Sequence, residues 1–186
     1  MITLYLTRHG ETKENIAQVL QGHLPGNLTE KGKEQAYRLR NELADIHFDA
    51  IISSDLKRTL DTATILNEPH SLPIISCSLL RERDWGELAG IKIEKIKGKT
   101  FPDSVETIEE MTNRAHRFIQ YLKENFEGNI ILIVGHGVFN RCIQSVLHHK
   151  TIQDFPRMGN AETRIEYIKE TTKSAIIETD IEASAN

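Results

Sequence analysis

Short apolar runs alternate along this chain with amphipathic stretches of helical period. Ile2-Thr3-Leu4-Tyr5-Leu6, residues 50–52 and residues 130–134 read as strands, each ending at glycine or polar residues. After Thr29, whose hydroxyl can cap a helix, Ala36, Leu39, Leu43 and Ile46 fall on one face. Leu56, Leu60, Ala63 and Leu66 repeat that spacing over 55–67. A long helix is predicted from about Ser104 to Phe126, with Ile108, Met111, Ala115, Ile119, Leu122 and Phe126 as its inner stripe. Another follows the run at 130–134 and turns Phe139, Cys142, Ile143, Val146 and Leu147 inward; His148, His149 and Lys150 at its end suit the negative pole of a helix dipole. Residues 164–168 and 174–178 read as two closing strands at one sheet edge, before a polar, frayed tail at 180–186. Such alternation predicts an α/β fold, a three-layer α/β/α sandwich around a mostly parallel central sheet. No repeat or linker interrupts it, so residues 1–186 are expected to form one domain.

The chemistry gathers where the strands end. Arg8-His9-Gly10 follows the first strand, and Val134-Gly135-His136-Gly137 repeats the arrangement at the run near 130. Ser53-Ser54-Asp55-Leu56-Lys57-Arg58 carries a strand into a helix, and Leu79-Leu80-Arg81-Glu82 brings a carboxyl after another apolar pair. Open α/β sheets bind their ligands at the carboxyl edge. Two imidazoles, two guanidinium groups and a carboxyl at that edge are the groups that phosphoryl transfer through a phosphohistidine needs. Each has a plainer reading in isolation: a solvated turn for Arg8 and His9, a first-turn helix residue for Arg58, a satisfied core histidine for His136, and an ion pair with Arg81 or Arg83 for Glu82.

Taken in order, these segments resemble the histidine phosphatase superfamily, the group that includes the cofactor-dependent phosphoglycerate mutases. The resemblance runs through Arg8-His9-Gly10-Glu11-Thr12, Asn15, Gln21-Gly22, Leu28-Thr29, Ser53-Ser54-Asp55-Leu56-Lys57-Arg58 and Thr62-Ala63. It continues through Leu80-Arg81-Glu82, Trp85-Gly86-Glu87, Val134-Gly135-His136-Gly137 and Gly159-Asn160-Ala161. It implies a phosphoglycerate mutase-like fold and a phosphomonoesterase in which His9 is the nucleophile, its other ring nitrogen held by a backbone carbonyl. Arg8, Arg58 and His136 would surround the transferring group, and Glu82 would be the general acid and base, with Glu11, Asp84 and Glu87 as weaker rivals. Asn15, Gln21, Gly22 and Gly137 match positions on the phosphate and substrate side; Arg114 and Asn140 are further candidates for the pocket. Alternation along an extended segment should turn Arg81 and Arg83 away from the face of Glu82. One departure stands out: relatives carry Gly-Glu-Ser before the long helix, and this chain has Pro102-Asp103-Ser104, so that glutamate is expected to be missing.

Composition narrows the partners. A formal charge of -4 argues against a nucleic-acid binder and requires a locally positive pocket for a phosphorylated ligand. Two cysteines without C-x-x-C spacing suggest neither disulfide nor zinc, and no metal or organic cofactor is implied. No signal-type or membrane-spanning run is present in the sequence, which points to the cytoplasm and away from a membrane. The expected substrate is a small phosphorylated metabolite, with the α-ribazole phosphatases as one resemblance. A mutase, a phosphoprotein phosphatase and a non-catalytic phospho-ligand scaffold are the alternatives. The compact stretch at 86–103, the expected lid, speaks against a mutase, which must retain a doubly phosphorylated intermediate. Oligomeric state is not legible.

Overall fold

The computed structural model describes residues 1–169. The strand predicted at 174–178 and the tail at 180–186 lie outside them. Five strands form one sheet: β1 (Ile2–Arg8), β2 (Ala50–Ser53), β3 (Ile74–Ser76), β4 (Ile130–Gly135) and β5 (Thr163–Ile168), in the order β3-β2-β4-β1-β5. The first four run parallel, and β5 pairs antiparallel with β1 at the edge. The helices are α1 (Lys13–Ile16), α2 (Glu30–Leu43), α3 (Lys57–Asn67), α4 (Ile108–Asn125) and α5 (Gly137–His148).

Strand alternation divides the core into two layers. Leu4 and Leu6 of β1, Ile52 of β2, and Ile131 and Ile133 of β4 face one side, where α4 and α5 supply Met111, Ala115, Phe118, Leu122, Phe139 and Ile143. Ile51, Leu132 and Val134 face the other, against Leu39 and Leu43 of α2 and Ala63 and Leu66 of α3. This is the predicted three-layer sandwich. Covered on both faces, β2 and β4 read as continuous apolar runs, whereas β1 alternates its buried Ile2, Leu4 and Leu6 with half-buried Thr3 and Tyr5.

Three differences from the sequence reading bear on the site and its surroundings. The long helix begins at Ile108, not near Ser104, because Thr107 caps it: its hydroxyl accepts from the Glu110 amide while the Glu110 side chain returns to the Thr107 amide. Ser104 is occupied elsewhere, its hydroxyl taking the Glu87 amide at 3.3 Å. A glutamate, Glu106, therefore does stand directly before the capping hydroxyl, and the expectation that it is missing is overturned. Ile108, now the first helical residue, is 39% exposed and leaves the inner stripe to Met111, Ala115, Phe118, Ile119 and Leu122. Second, β3 carried no clear pattern because it is only three residues long and none of them is fully buried; Ser78–Leu80 forms a single helical turn rather than a strand end. Third, His148 does more than face a helix dipole, as its Nε2 lies 2.7 Å from the Glu166 carboxylate on β5.

Candidate active site

The register of β1 against β4 brings the two histidines together. Arg8 pairs with Gly135, and the His9 amide donates to the Gly135 carbonyl at 3.1 Å, so His9 and His136 leave adjacent strands at the same level. Their rings meet edge to face with centroids 5.3 Å apart. Both are buried. His9 Nδ1 lies 2.7 Å from the Gly10 carbonyl. A carbonyl can only accept, so Nδ1 carries the proton and Nε2 keeps a free lone pair. Burial first, then the guanidinium groups of Arg58 and Arg8, hold the His9 imidazole well below its ordinary pKa of 6.5. His136 is depressed in the same direction, again mainly by burial and then by Arg58 and His9. Its Nε2 is 3.0 Å from the Ser54 hydroxyl.

Around this pair the guanidinium groups are fixed by backbone carbonyls. Arg58, in the first turn of α3, donates from Nη2 to Gly22 O at 2.8 Å and from Nη1 to Leu24 O at 2.5 Å. Desolvation lowers its pKa to about 10, with Glu82 opposing the shift, so it remains a cation at neutral pH. Arg8 donates from Nη1 to Met158 O at 2.6 Å. Nε of each arginine, like Nδ1 of His136, is buried without a partner among the described residues. Buried donors of this kind suit an acceptor-rich ligand.

Glu82 reaches the site from the segment beyond β3. Its carboxylate accepts the Val138 amide at 3.1 Å and the Phe139 amide at 3.0 Å, at the N-terminus of α5, together with its neighbour's Arg83 amide at 3.0 Å. Arg81 turns away to Asp55, with Nε at 2.8 and 3.0 Å from its two oxygens. Arg83 turns away to the Glu106 carbonyl at 2.7 Å and stacks its guanidinium on Trp85 at 4.6 Å. The ion-pair reading of Glu82 is thereby removed, as the alternation predicts.

These groups converge on one cavity of about 370 Å³. Arg8, His9, Asn15, Gln21, Gly22, Arg58, Glu82 and Gly137 all line it, whereas His136 stands behind His9 rather than on the wall. Asn15 lies in α1, where its Oδ1 takes the Thr12 amide and the Asn160 side chain, both at 3.1 Å. Gln21 is buried, and its Oε1 has no hydrogen-bond partner among the described residues. Gly22 has φ +51, and a Cβ there would lie 3.1 Å from both the Arg83 carbonyl and the Trp85 ring. At Gly137 an added Cβ would come within 3.2 Å of Arg8 Nε, so the absent side chain leaves room for that guanidinium.

Arg114 and Asn140, the further candidates, are not on the cavity wall. Asn140 donates to Thr7 O at 3.1 Å inside the sheet edge, and Arg114 packs behind Glu82. Glu11 is engaged with Thr29 and Lys31 instead. Several residues that hold or line the site were given no role by the sequence reading. Thr62 accepts the Gly10 amide at 3.1 Å and donates to Arg58 O at 2.7 Å, tying the two loops together one turn after Arg58. Asn160 donates to His9 O at 3.2 Å. Arg141, Arg157, Trp85, Ile93 and Ile96 also line the wall. Of these, Thr62, Trp85 and Asn160 stood within matched motifs, while Arg157 sits in a loop with no pattern to find it by. Among the described residues no group of three or more His, Cys, Asp or Glu side chains is placed to hold a metal ion, and no helix is long and apolar enough to cross a membrane.

A mostly parallel sheet with paired imidazoles and clamped guanidinium groups at its carboxyl edge defines a class of phosphoryl-transfer protein. The chain belongs to the histidine phosphatase superfamily (branch 1), whose family model matches residues 4–179. It is similar to a Bacillus subtilis protein described as an uncharacterized phosphatase, PhoE, with 36% identity over 141 residues, 74% of this chain and 72% of that protein. It is also 32% identical over 162 residues to a probable phosphoglycerate mutase, GpmB, of Salmonella arizonae, covering 79% of this chain and 75% of that one. Among solved structures, Bacillus stearothermophilus YhfR superposes with a TM-score of 0.84 at 29% identity, over 91% of this chain and 92% of that chain.

Proposed function

We propose that the protein is a phosphomonoesterase that hydrolyses a small phosphorylated metabolite through a phosphohistidine on His9, without a metal. The observation that carries this reading is the His9 ring itself: Nδ1–H is held by Gly10 O, and Nε2, without a hydrogen-bond partner among the described residues, belongs to a ring lining the cavity shared with Arg8, Arg58 and Glu82. The substrate phosphoryl group lies against Nε2, with Arg8 and Arg58 on its equatorial oxygens, where developing charge is greatest. Nε2 attacks phosphorus as the P–O bond to the alcohol breaks, and the Glu82 carboxylic acid gives its proton to the departing oxygen. The alcohol leaves. Glu82, now a carboxylate, takes a proton from water as that water attacks phosphorus; the P–N bond breaks, and inorganic phosphate and the starting imidazole result.

The cavity's size suits a small molecule rather than a folded partner. Arg157 lines it with its own guanidinium unpaired among the described residues, and is suited to an anionic or hydroxyl-rich alcohol half. The similarity to GpmB, described as a probable phosphoglycerate mutase, raises mutase-type phosphoryl transfer as a second reading. Residues 86–103 speak for water as the acceptor: the side chains they contribute to the wall include Ile93 and Ile96, while Lys92, Lys95, Lys97 and Lys99 are not on it. A bisphosphorylated intermediate would gain nothing from isoleucines.

The test is phosphate release from p-nitrophenyl phosphate and a panel of sugar, nucleotide, amino-acid and glycerate monoesters in EDTA, with His9→Ala alongside. EDTA-resistant turnover that disappears in the variant is expected. Turnover retained by His9→Ala, or absent until a divalent metal is added, would overturn the reading.

A further inference from the structure

Glu82 sits on a segment that makes no strand ladder, so something other than the sheet must hold it. We propose that the Arg114–Glu106 pair is a positioning clamp for the proton-donating carboxyl of Glu82, an inference that rests on the role given to Glu82 above. Both side chains are nearly buried, with relative exposures of 11% and 14%. Arg114 Nε and Nη2 meet the two Glu106 oxygens at 2.9 and 2.7 Å, a bidentate contact. Its Nη1 donates to Leu79 O at 2.9 Å and to Arg81 O at 2.5 Å, and Nη2 reaches Glu82 O at 3.4 Å. All five guanidinium donors are thus used.

Glu106 holds the far side of the same segment. Its Oε2 accepts the Asp84 amide at 3.0 Å, and its carbonyl accepts Arg83 Nε at 2.7 Å. Residues 79, 81, 82, 83 and 84 are therefore all tied to one ion pair. The guanidinium carbon of Arg114 also lies 4.0 Å from the centroid of the Phe139 ring, and the Phe139 amide is a donor to the Glu82 carboxylate. One side chain consequently touches both supports of Glu82, the backbone that carries it and the helix turn that receives it. A lysine has three donors on a single nitrogen and cannot reproduce the fork. Arg114 is not on the cavity wall, and apart from its charge acting on His136, which Arg114→Lys preserves, its contacts reach the site through Glu82.

A merely structural role would slow every substrate alike, whereas a misplaced acid slows only those whose leaving group needs a proton. Arg114→Lys and Glu106→Asp keep both charges and lose the bidentate geometry; their folding is checked by circular dichroism and melting. First-turnover alcohol release is then compared for an alkyl phosphate and for p-nitrophenyl phosphate, whose phenolate leaves unprotonated. The alkyl rate is expected to fall about 10- to 100-fold and the p-nitrophenyl rate less than about 3-fold, with no further alkyl loss when either change is added to Glu82→Gln. Equal losses on both substrates, additive losses with Glu82→Gln, or a folded variant with unchanged alkyl rate would overturn the clamp. Should one variant fail to fold, the other carries the comparison. If Glu82→Gln itself keeps its alkyl rate, the acid assignment falls and the clamp's purpose with it; uniform losses beside a selective Glu82→Gln remove the clamp alone.

Discussion

His9 and His136 stand at the ends of hydrogen-bonded neighbouring strands, while Glu82 lies beyond the short edge strand β3, on a segment held by side chains. On the histidine side, backbone register sets the positions, and burial keeps both rings neutral. On the glutamate side, a buried ion pair and two amides of α5 do the holding. The proposed nucleophile thus inherits its geometry from the fold, and the proposed acid from a few replaceable side chains. Changes that spare the sheet should separate the two halves of the reaction.

The largest effect is expected from removing the proposed nucleophile. His9→Ala should lower kcat/KM by about 10⁴-fold with the protein still folded, measured on any substrate the panel identifies. Glu82→Gln comes next, with about 10³-fold on alkyl phosphates and a much smaller loss on p-nitrophenyl phosphate; equal losses on both would break the division of labour between the two sides.

Acid should expose the histidine side through stability. His9 and His136 have pKa values depressed on folding, so below about 6.5 the unfolded chain binds protons that the native protein does not, and stability falls as pH falls. The slope approaches about 1.4 kcal/mol per pH unit for each histidine, beginning near pH 6.5 and ending at the depressed native values. Asp55, held low by its hydrogen bond to Arg81, adds its own loss only nearer its ordinary value of 3.8. Urea unfolding between pH 7 and 5 checks this, and His136→Asn should remove about half of the slope. The smallest effect concerns Gly137, where an alanine Cβ presses on the Arg8 guanidinium. Gly137→Ala should cost about 10-fold in kcat/KM and leave the melting temperature nearly unchanged; a large fall in melting temperature would mean that α5, not Arg8, had been disturbed.

The same contrast explains what could be read from the chain. The continuous apolar run of β4 and the alternating Ile2, Leu4 and Leu6 of β1, each followed by a histidine, announce both the strands and the chemistry at their ends. β3 escaped notice since three residues cannot establish a period. The Glu106 clamp escaped because the helix start was assigned to Ser104, and the capping box that moves it to Thr107 depends on a reciprocal Glu110 contact that competes with an equally plausible serine. Arg114 has helical spacing like any surface arginine, and its five contacts come from segments far apart in sequence. Long-range side-chain holds leave no local pattern.

Trapping the covalent intermediate tests the central claim most directly. The protein is mixed with a turned-over phosphate ester, quenched in alkali and analysed by intact mass and peptide mapping. A phosphoryl adduct stable to base and labile to acid, located on His9, accumulating in Glu82→Gln and absent in His9→Ala, is the predicted result. Phosphate release at the normal rate with no adduct at any time, or an adduct that forms without His9, would contradict the account.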